Sequence, residues 1–474
     1  MKNLLIALCV LAFFSCKETS SPKSAQVSFA QNKDGEDEIS GYLVVPENRN
    51  QPNGKKIQLA YRVLKARNKN TKKEPILYLQ GGPGGATLLM ESFWQNHTLR
   101  SDRDIVLMDQ RGTGSSNAIC TDFGEAMIDI LAQDLLPEEE YSKMQEIMTK
   151  CKKEAQKNKT DLSAYNSREN AADFESLRKK LGYERWNILG GSYGSRLGMT
   201  IMRDFPSSVR SAIIFGVFAP ESAIYAHFMS NFKSALFSAF EECENDSDCN
   251  TRYPDLKEAF FSALHKIEQK PMVFTYDGKP FYLNVQDVLL ITHQLLYSRS
   301  TVGIIPSFIQ ALHTQNEPVI RRALRPTSIT TRVINFAMYM SVMAYEELPF
   351  NGTAAFMADL KSNPEFSTGP AFFHSDAKIL ENWHSHRSET LENDPVVSAI
   401  PTLVVNGRLD PITPTSNARQ ASKSLQNSYV MEFQREGHSV FNSCFFEICQ
   451  EFLDAPETAP DMSCAQKEHP LSWY

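Results

Sequence analysis

The chain has 474 residues, 42% hydrophobic and 10% aromatic, which is ample apolar material for one large globular unit carrying an inserted subdomain. Its formal net charge of -7 argues against a nucleic-acid partner, because there is no basic surplus to neutralise phosphates. Beyond the first residues no long apolar run suggests a membrane-spanning helix, and no fixed-period repeat is visible.

The chain opens Met1-Lys2-Asn3, residues 4–14 are almost unbroken apolar, and Ser15-Cys16 follow. A charged start, a short apolar stretch and a small residue before the break read as a secretion signal, too short for a permanent span. A cysteine just after the break resembles the bacterial lipoprotein signal, in which Cys16 becomes the lipidated N-terminus. Phe13-Phe14 stand where that signal usually has small residues, so plain secretion with a free Cys16 is the alternative. Residues 1–16 are assigned to the signal. The polar, Ser- and Lys-rich residues 17–38 are assigned to a flexible tether.

Strand signals then arrive in series. Residues 41–45 and 57–64 are separated by a Pro/Asn/Gly-rich turn and read as an antiparallel pair. Short apolar runs at 76–79, 105–108, 186–189 and 212–215 are each followed by Gly-rich or polar turns, with helical patterns between them. One such helix, residues 171–181, places Phe174, Leu177 and Leu181 on one face. Buried runs alternating with helices imply an α/β fold with a mostly parallel sheet and antiparallel N-terminal strands. Residues 221–395 lose that rhythm, are mostly helical in pattern and are rich in Phe, Met and Tyr. The rhythm resumes at 401–405 and 429–433. The expected layout is a core over 39–220, a helical cap over 221–395 and the rest of the core over 396–474. A block inserted there sits above the strands' carboxyl ends, where ligands bind in open sheets.

Nine cysteines fit an oxidising compartment. Cys9 leaves with the signal. Cys243 and Cys249 flank an acidic turn and suggest a local bridge. Cys120 with Cys151 and Cys444 with Cys464 are the next pairings, which leaves Cys449 on the apolar side of a helical pattern; seven cysteines allow other connectivities. No C-x-x-C pair is matched by a second, and His384 and His386 lack an apparent third ligand, so no metal site is expected.

Chemistry concentrates in four loops. Gly190-Gly191-Ser192-Tyr193-Gly194 lies between an apolar run and a helical pattern, the strand–sharp turn–helix setting of a nucleophile elbow. Small residues flank Ser192 because the turn is tight, and the Tyr193 backbone N–H falls near any oxyanion that forms. A base and its orienting acid should follow at the ends of the last two strands. Asp410, just after 401–405, and His438, just after 429–433, fill those places. His438 would take the Ser192 proton, and Asp410 would fix the imidazole tautomer. A second oxyanion donor should come from Gln80-Gly81-Gly82-Pro83-Gly84-Gly85, with Gly82 the first choice and Gly81 next. Arg111 and Asp109, in a turn, read as loop-tying residues.

On these motifs the chain resembles the α/β-hydrolase peptidases that include proline iminopeptidase and the secreted tripeptidyl aminopeptidases. The family's His-Gly-Gly-Pro-Gly loop is matched by residues 80–84 with Gln80 in place of His, and its Asp-Gln-Arg-Gly-x-Gly-x-Ser segment by residues 109–116. The Gly-Gly-Ser-Tyr-Gly elbow is present whole, and the region from Pro401 to Cys464 is also similar. The resemblance implies an α/β-hydrolase fold and cap-domain acids that hold the substrate's free α-ammonium. Glu346 and Glu347 match that acidic pair, with a solvated helix face as the plain alternative, and Ala344 stands where a cysteine is usual. Phe215-Gly216-Val217 departs from the Leu-Asp-Gly of the tripeptidyl branch.

The sequence thus predicts a serine exopeptidase of the bacterial cell envelope, otherwise secreted. Peptides would be its substrates, a lipid its membrane anchor, and no cofactor would be required. A carboxylic-ester hydrolase with the same triad and a non-catalytic surface lipoprotein are the alternatives.

Overall fold

The structure, a computed structural model, describes residues 33–34, 37–366, 378–467 and 470–474. The signal segment and Cys16 lie outside the described residues.

The described residues build a nine-stranded sheet and a separate hairpin. In chain order the strands are β1 (Lys33–Asp34), β2 (Glu38–Pro46), β3 (Lys56–Leu64), β4 (Ile76–Leu79), β5 (Ile105–Met108), β6 (Trp186–Gly191), β7 (Val209–Phe215), β8 (Met272–Tyr276), β9 (Lys279–Leu283), β10 (Thr402–Gly407) and β11 (Ser428–Phe433). The large sheet runs β1-β2-β3-β5-β4-β6-β7-β10-β11. The edge from β1 to β5 is antiparallel, and β5 through β11 are parallel. β1 pairs with β2 inside the stretch assigned to a tether, so part of that segment is ordered against the sheet.

β4 and β5 are apolar and buried at every position because helices cover both faces. Side chains along the central strands still alternate. Leu77, Leu79, Val106, Met108, Ile188, Ile214 and Val404 join one core. Their neighbours Ile76, Tyr78, Ile105, Leu107, Leu189, Ile213 and Leu403 join the other, on the opposite face.

Two helices place the site. α1 (Ser167–Leu181) begins four residues before the expected start. Asn166 caps it by accepting the Glu169 N–H at 3.0 Å, and Gly182 ends it at φ 74°. α2 (Tyr193–Asp204) follows β6 directly and packs along α1.

Between β7 and β10 lies the helical insertion, including α3 (Val285–Leu295) and α4 (Phe336–Glu346). The sequence reading missed a hairpin there. β8 and β9 turn through Asp277 and Gly278, both at positive φ, the signature of a tight two-residue turn. The insertion touches the core through two backbone bridges, Gly85 to Ile334 and Ser298 to Ser439. α5 (Ser443–Asp454) closes the second core. Disulfides join Cys120 to Cys151, Cys243 to Cys249 and Cys444 to Cys464, and Cys449 is a buried thiol on α5.

Candidate active site

Ser192 joins β6 to α2 with φ 55° and ψ −128°, a backbone conformation that costs a non-glycine residue about 1–3 kcal/mol. Close packing holds it there. A Cβ on Gly190 would lie 2.3 Å from the Gly194 oxygen, and one on Gly194 would lie 2.1 Å from the Leu79 oxygen. Only glycine fits either position, so the strand, the turn and the helix lock together around the serine. The Ser192 N–H donates to the Phe215 carbonyl at 2.9 Å, which ties the elbow to the end of β7.

Asp410 and His438, on the loops after β10 and β11, are brought together. His438 Nδ1 lies 2.8 Å from Asp410 Oδ2. Asp410 is buried, and its other oxygen accepts the N–H groups of Ile412 and Thr413 at 2.9 Å each. Thr413 is a residue the sequence reading missed. Its hydroxyl donates to Asp410 Oδ2 at 2.6 Å and lies 3.0 Å from His438 Nδ1. The carboxylate therefore has its orientation fixed before it meets the imidazole. The only signal was local: Asp followed by a polar residue three positions on, in a turn.

Among the described residues no hydrogen bond joins the Ser192 hydroxyl to the imidazole. The two are linked through β7. Phe215 accepts from Ser192, and the next residue, Gly216, lies against His438, where a Cβ would be 3.1 Å from the ring's Cε1.

The insertion presses on the same loop. The Tyr297 ring lies 4.8 Å from the His438 ring, and the Ser439 N–H donates to the Tyr297 carbonyl at 2.7 Å. His293 on α3 is pushed down to about 3, chiefly by burial, so it stays neutral at pH 7.

The glycine-rich loop after β4 lies against the nucleophile. A Cβ on Gly81 would sit 2.8 Å from Ser192 Cβ and 3.4 Å from Oγ. Gly82, at φ 127°, faces Ile334 of the insertion, and the Asn335 N–H donates to the Gly84 carbonyl at 2.9 Å. The side chain of Tyr193 turns away, its hydroxyl 2.9 Å from Ser167 Oγ.

Asp109 and Arg111 tie loops. Asp109 accepts the N–H groups of Leu88 and Ser115 at 2.8 and 2.9 Å, and burial pushes it up to about 6. Arg111 spans Asp173 and the carbonyls of Glu47 and Ala164 through four hydrogen bonds, and it lies 3.2 Å from Glu169. His384 Nε2 lies 3.2 Å from the Ser341 carbonyl.

Glu346 and Glu347, expected to face the substrate, are each 1% exposed and paired with protein instead. Arg196, one helical turn beyond Ser192, donates to Glu346 at 3.0 Å and to Glu347 at 2.6 Å. Ser167 donates its N–H and hydroxyl to Glu346 at 2.5 and 2.7 Å. Burial pushes Glu347 up to about 7 against the pull of Arg196. The sequence showed the two acids but not the arginine, because Arg196 reads as an ordinary helical residue and meets them only across the fold.

Two family models match the chain: the alpha/beta hydrolase fold over residues 74–242 and a TAP-like protein model over residues 368–464. A protein of Leptolyngbya boryana named "Probable proline iminopeptidase" is 22% identical over 82% of this chain and 87% of its own. A proline iminopeptidase of Xanthomonas citri is 20% identical over 78% and 84%. A tripeptidyl aminopeptidase of Streptomyces lividans is 28% identical over 38% of this chain and 35% of its own. The β-strand order, the elbow and these matches agree: the chain has the alpha/beta hydrolase fold, and its C-terminal residues 368–464 are similar to the TAP-like model.

Proposed function

We propose that this α/β-hydrolase is a serine exopeptidase that releases residues or short peptides from peptide N-termini. The observation that carries the reading is the pairing of His438 with buried Asp410 on the loops after β10 and β11, at the sheet edge that carries Ser192. Asp410 and Thr413 hold Nδ1 protonated and leave Nε2 for the nucleophile. His438 takes the Ser192 proton as the hydroxyl attacks the scissile carbonyl, and later returns it to the leaving amine. The bond from Ser192 to the imidazole forms as substrate binds, a step that commonly tightens catalytic contacts. The backbone N–H of Tyr193 and that of the 81–82 loop stabilise the oxyanion. The insertion, pinned to both catalytic loops, restricts entry to short or extended chains. This favours cleavage near a terminus, in line with the relatives named as iminopeptidase and aminopeptidase.

The disulfides and the N-terminal signal pattern support a cell-envelope location with Cys16 as the lipid anchor. Labelling with a fluorophosphonate, with Ser192→Ala as control, tests the nucleophile. Aminoacyl and tripeptidyl chromogenic substrates with free and acetylated amino termini separate a peptidase from an esterase. An esterase ignores the amine.

A further inference from the structure

Four consecutive residues of the insertion meet four consecutive residues of the loop that carries His438. They are residues 296–299, just past α3, and residues 436–439. A Cβ on Gly437 would lie 2.0 Å from the Leu296 carbonyl oxygen, so the two backbones touch. The Ser439 N–H donates to the Tyr297 carbonyl at 2.7 Å, and Ser298 bridges Ser439 in parallel. Arg299 Nη1 lies 3.7 Å from Glu436 Oε1. Between these ties the Tyr297 ring lies 4.8 Å from the His438 ring, tilted by 56°.

Tyr297 is itself backed by rings. His293, one helical turn earlier, lies 5.5 Å from it and stacks on Phe228 at 5.1 Å. Both are buried, so a row of rings runs from the interior of the insertion to the imidazole.

The core holds that imidazole at fewer points. Asp410 and Thr413 meet it at one atom, Nδ1. A hydrogen bond at one atom leaves the ring able to swing about the contact. Gly216 packs beside it but brings no side chain. The backbone ties from the insertion fix the loop, and the Tyr297 ring limits the remaining swing. For proton transfer Nε2 must come within about 3 Å of the Ser192 hydroxyl, and a misplacement of about 1 Å costs on the order of 100-fold.

We propose that Tyr297 is a positioning residue, acting through His438 to aim Nε2 at Ser192. The proposal rests on His438 being the base of the reaction proposed above. It makes the insertion part of the proton-transfer apparatus, beyond its proposed role at the entrance.

The test compares wild type, Tyr297→Phe, Tyr297→Leu and Tyr297→Ala by fluorophosphonate labelling and by kinetics on two chromogenic peptides of different sequence. Final labelling counts intact sites, and kcat is expressed per labelled Ser192, so a misfolded fraction drops out. Leucine fills much of the tyrosine's volume and guards against collapse in the alanine variant. Expected is a fall in kcat of about 10- to 100-fold in Tyr297→Leu and Tyr297→Ala, with KM near its wild-type value. Both peptides lose the same factor, and the labelling rate falls in parallel. Tyr297→Phe keeps the ring and recovers most of the rate. Undiminished kcat per site in the leucine and alanine variants overturns the proposal. So does a rise in KM or a loss that differs between the peptides, which marks a contact with substrate rather than with the base. A wild type that labels but cleaves neither peptide overturns the exopeptidase reading alone, and the labelling rates still decide the role of Tyr297. A wild type that labels no faster than Ser192→Ala overturns that reading and the proposal together.

Discussion

His438 and Asp410 meet at 2.8 Å although 28 residues separate them, and Thr413 contacts both partners. Three donors on the carboxylate leave it one favoured orientation, and in the proposed mechanism that orientation selects the imidazole tautomer with a free Nε2. Asp410→Asn keeps the shape but presents an amide to Nδ1. Its kcat should fall about 10,000-fold. Thr413→Val removes one donor to a charged group and should lower kcat about 10-fold with little change in KM. Steady-state kinetics on a free-amine peptide substrate measure both.

Gly81 touches Ser192 more closely than any side chain could. With a Cβ 2.8 Å from Ser192 Cβ and 3.0 Å from the Gly191 carbonyl, Gly81→Ala must displace the loop proposed to frame the oxyanion. A kcat loss of about 100-fold is expected, the scale of losing one oxyanion donor. The fluorophosphonate labelling rate should fall in parallel, and an undiminished rate would remove this loop from the site.

Glu140 sits buried in the helix Pro137–Lys157, and burial pushes its carboxyl up to about 7 from an ordinary 4.5. Asp287, at the start of α3, is also raised by burial, with Glu140 and Asp134 adding to the effect. The folded state holds the Glu140 proton where the unfolded chain has released it. The stabilising effect is therefore whole below about pH 4.5 and is lost as pH rises through 7, about 3 kcal/mol over that window. Denaturant unfolding at pH 5 and pH 8 should show a shallower fall in Glu140→Gln than in wild type. An equal fall in both proteins would contradict the assignment.

The Cys120–Cys151 bridge closes a segment of 31 residues between β5 and α1. By chain entropy it should stabilise the fold by about 3–4 kcal/mol. The Cys120→Ser, Cys151→Ser double variant should unfold at correspondingly lower denaturant. Under reducing conditions, which open all three bridges in wild type, the two proteins should unfold together.

Much of the molecule was written locally. The central strands announced themselves because strands covered on both faces are continuous apolar runs, and Gly190 to Gly194 announced the elbow because only glycine survives those contacts. Asp410 and His438 were legible because each follows a strand at the expected edge. The β8–β9 hairpin was missed although Asp277-Gly278 is a strong turn signal, since the surrounding helical pattern dominated the reading. Thr413 was overlooked because its task is defined by two partners rather than by its neighbours.

What the sequence alone determined is the succession of the large sheet's central strands and the candidate nucleophile, acid and base, because each depends on a short stretch of chain. Only the tertiary structure decided which charges cancel. Arg196, on the core helix α2, claims Glu346 and Glu347 of the insertion, 150 and 151 positions further along the chain. Charge pairing depends on distance in space and on burial, and neither is encoded in the spacing of residues along the chain.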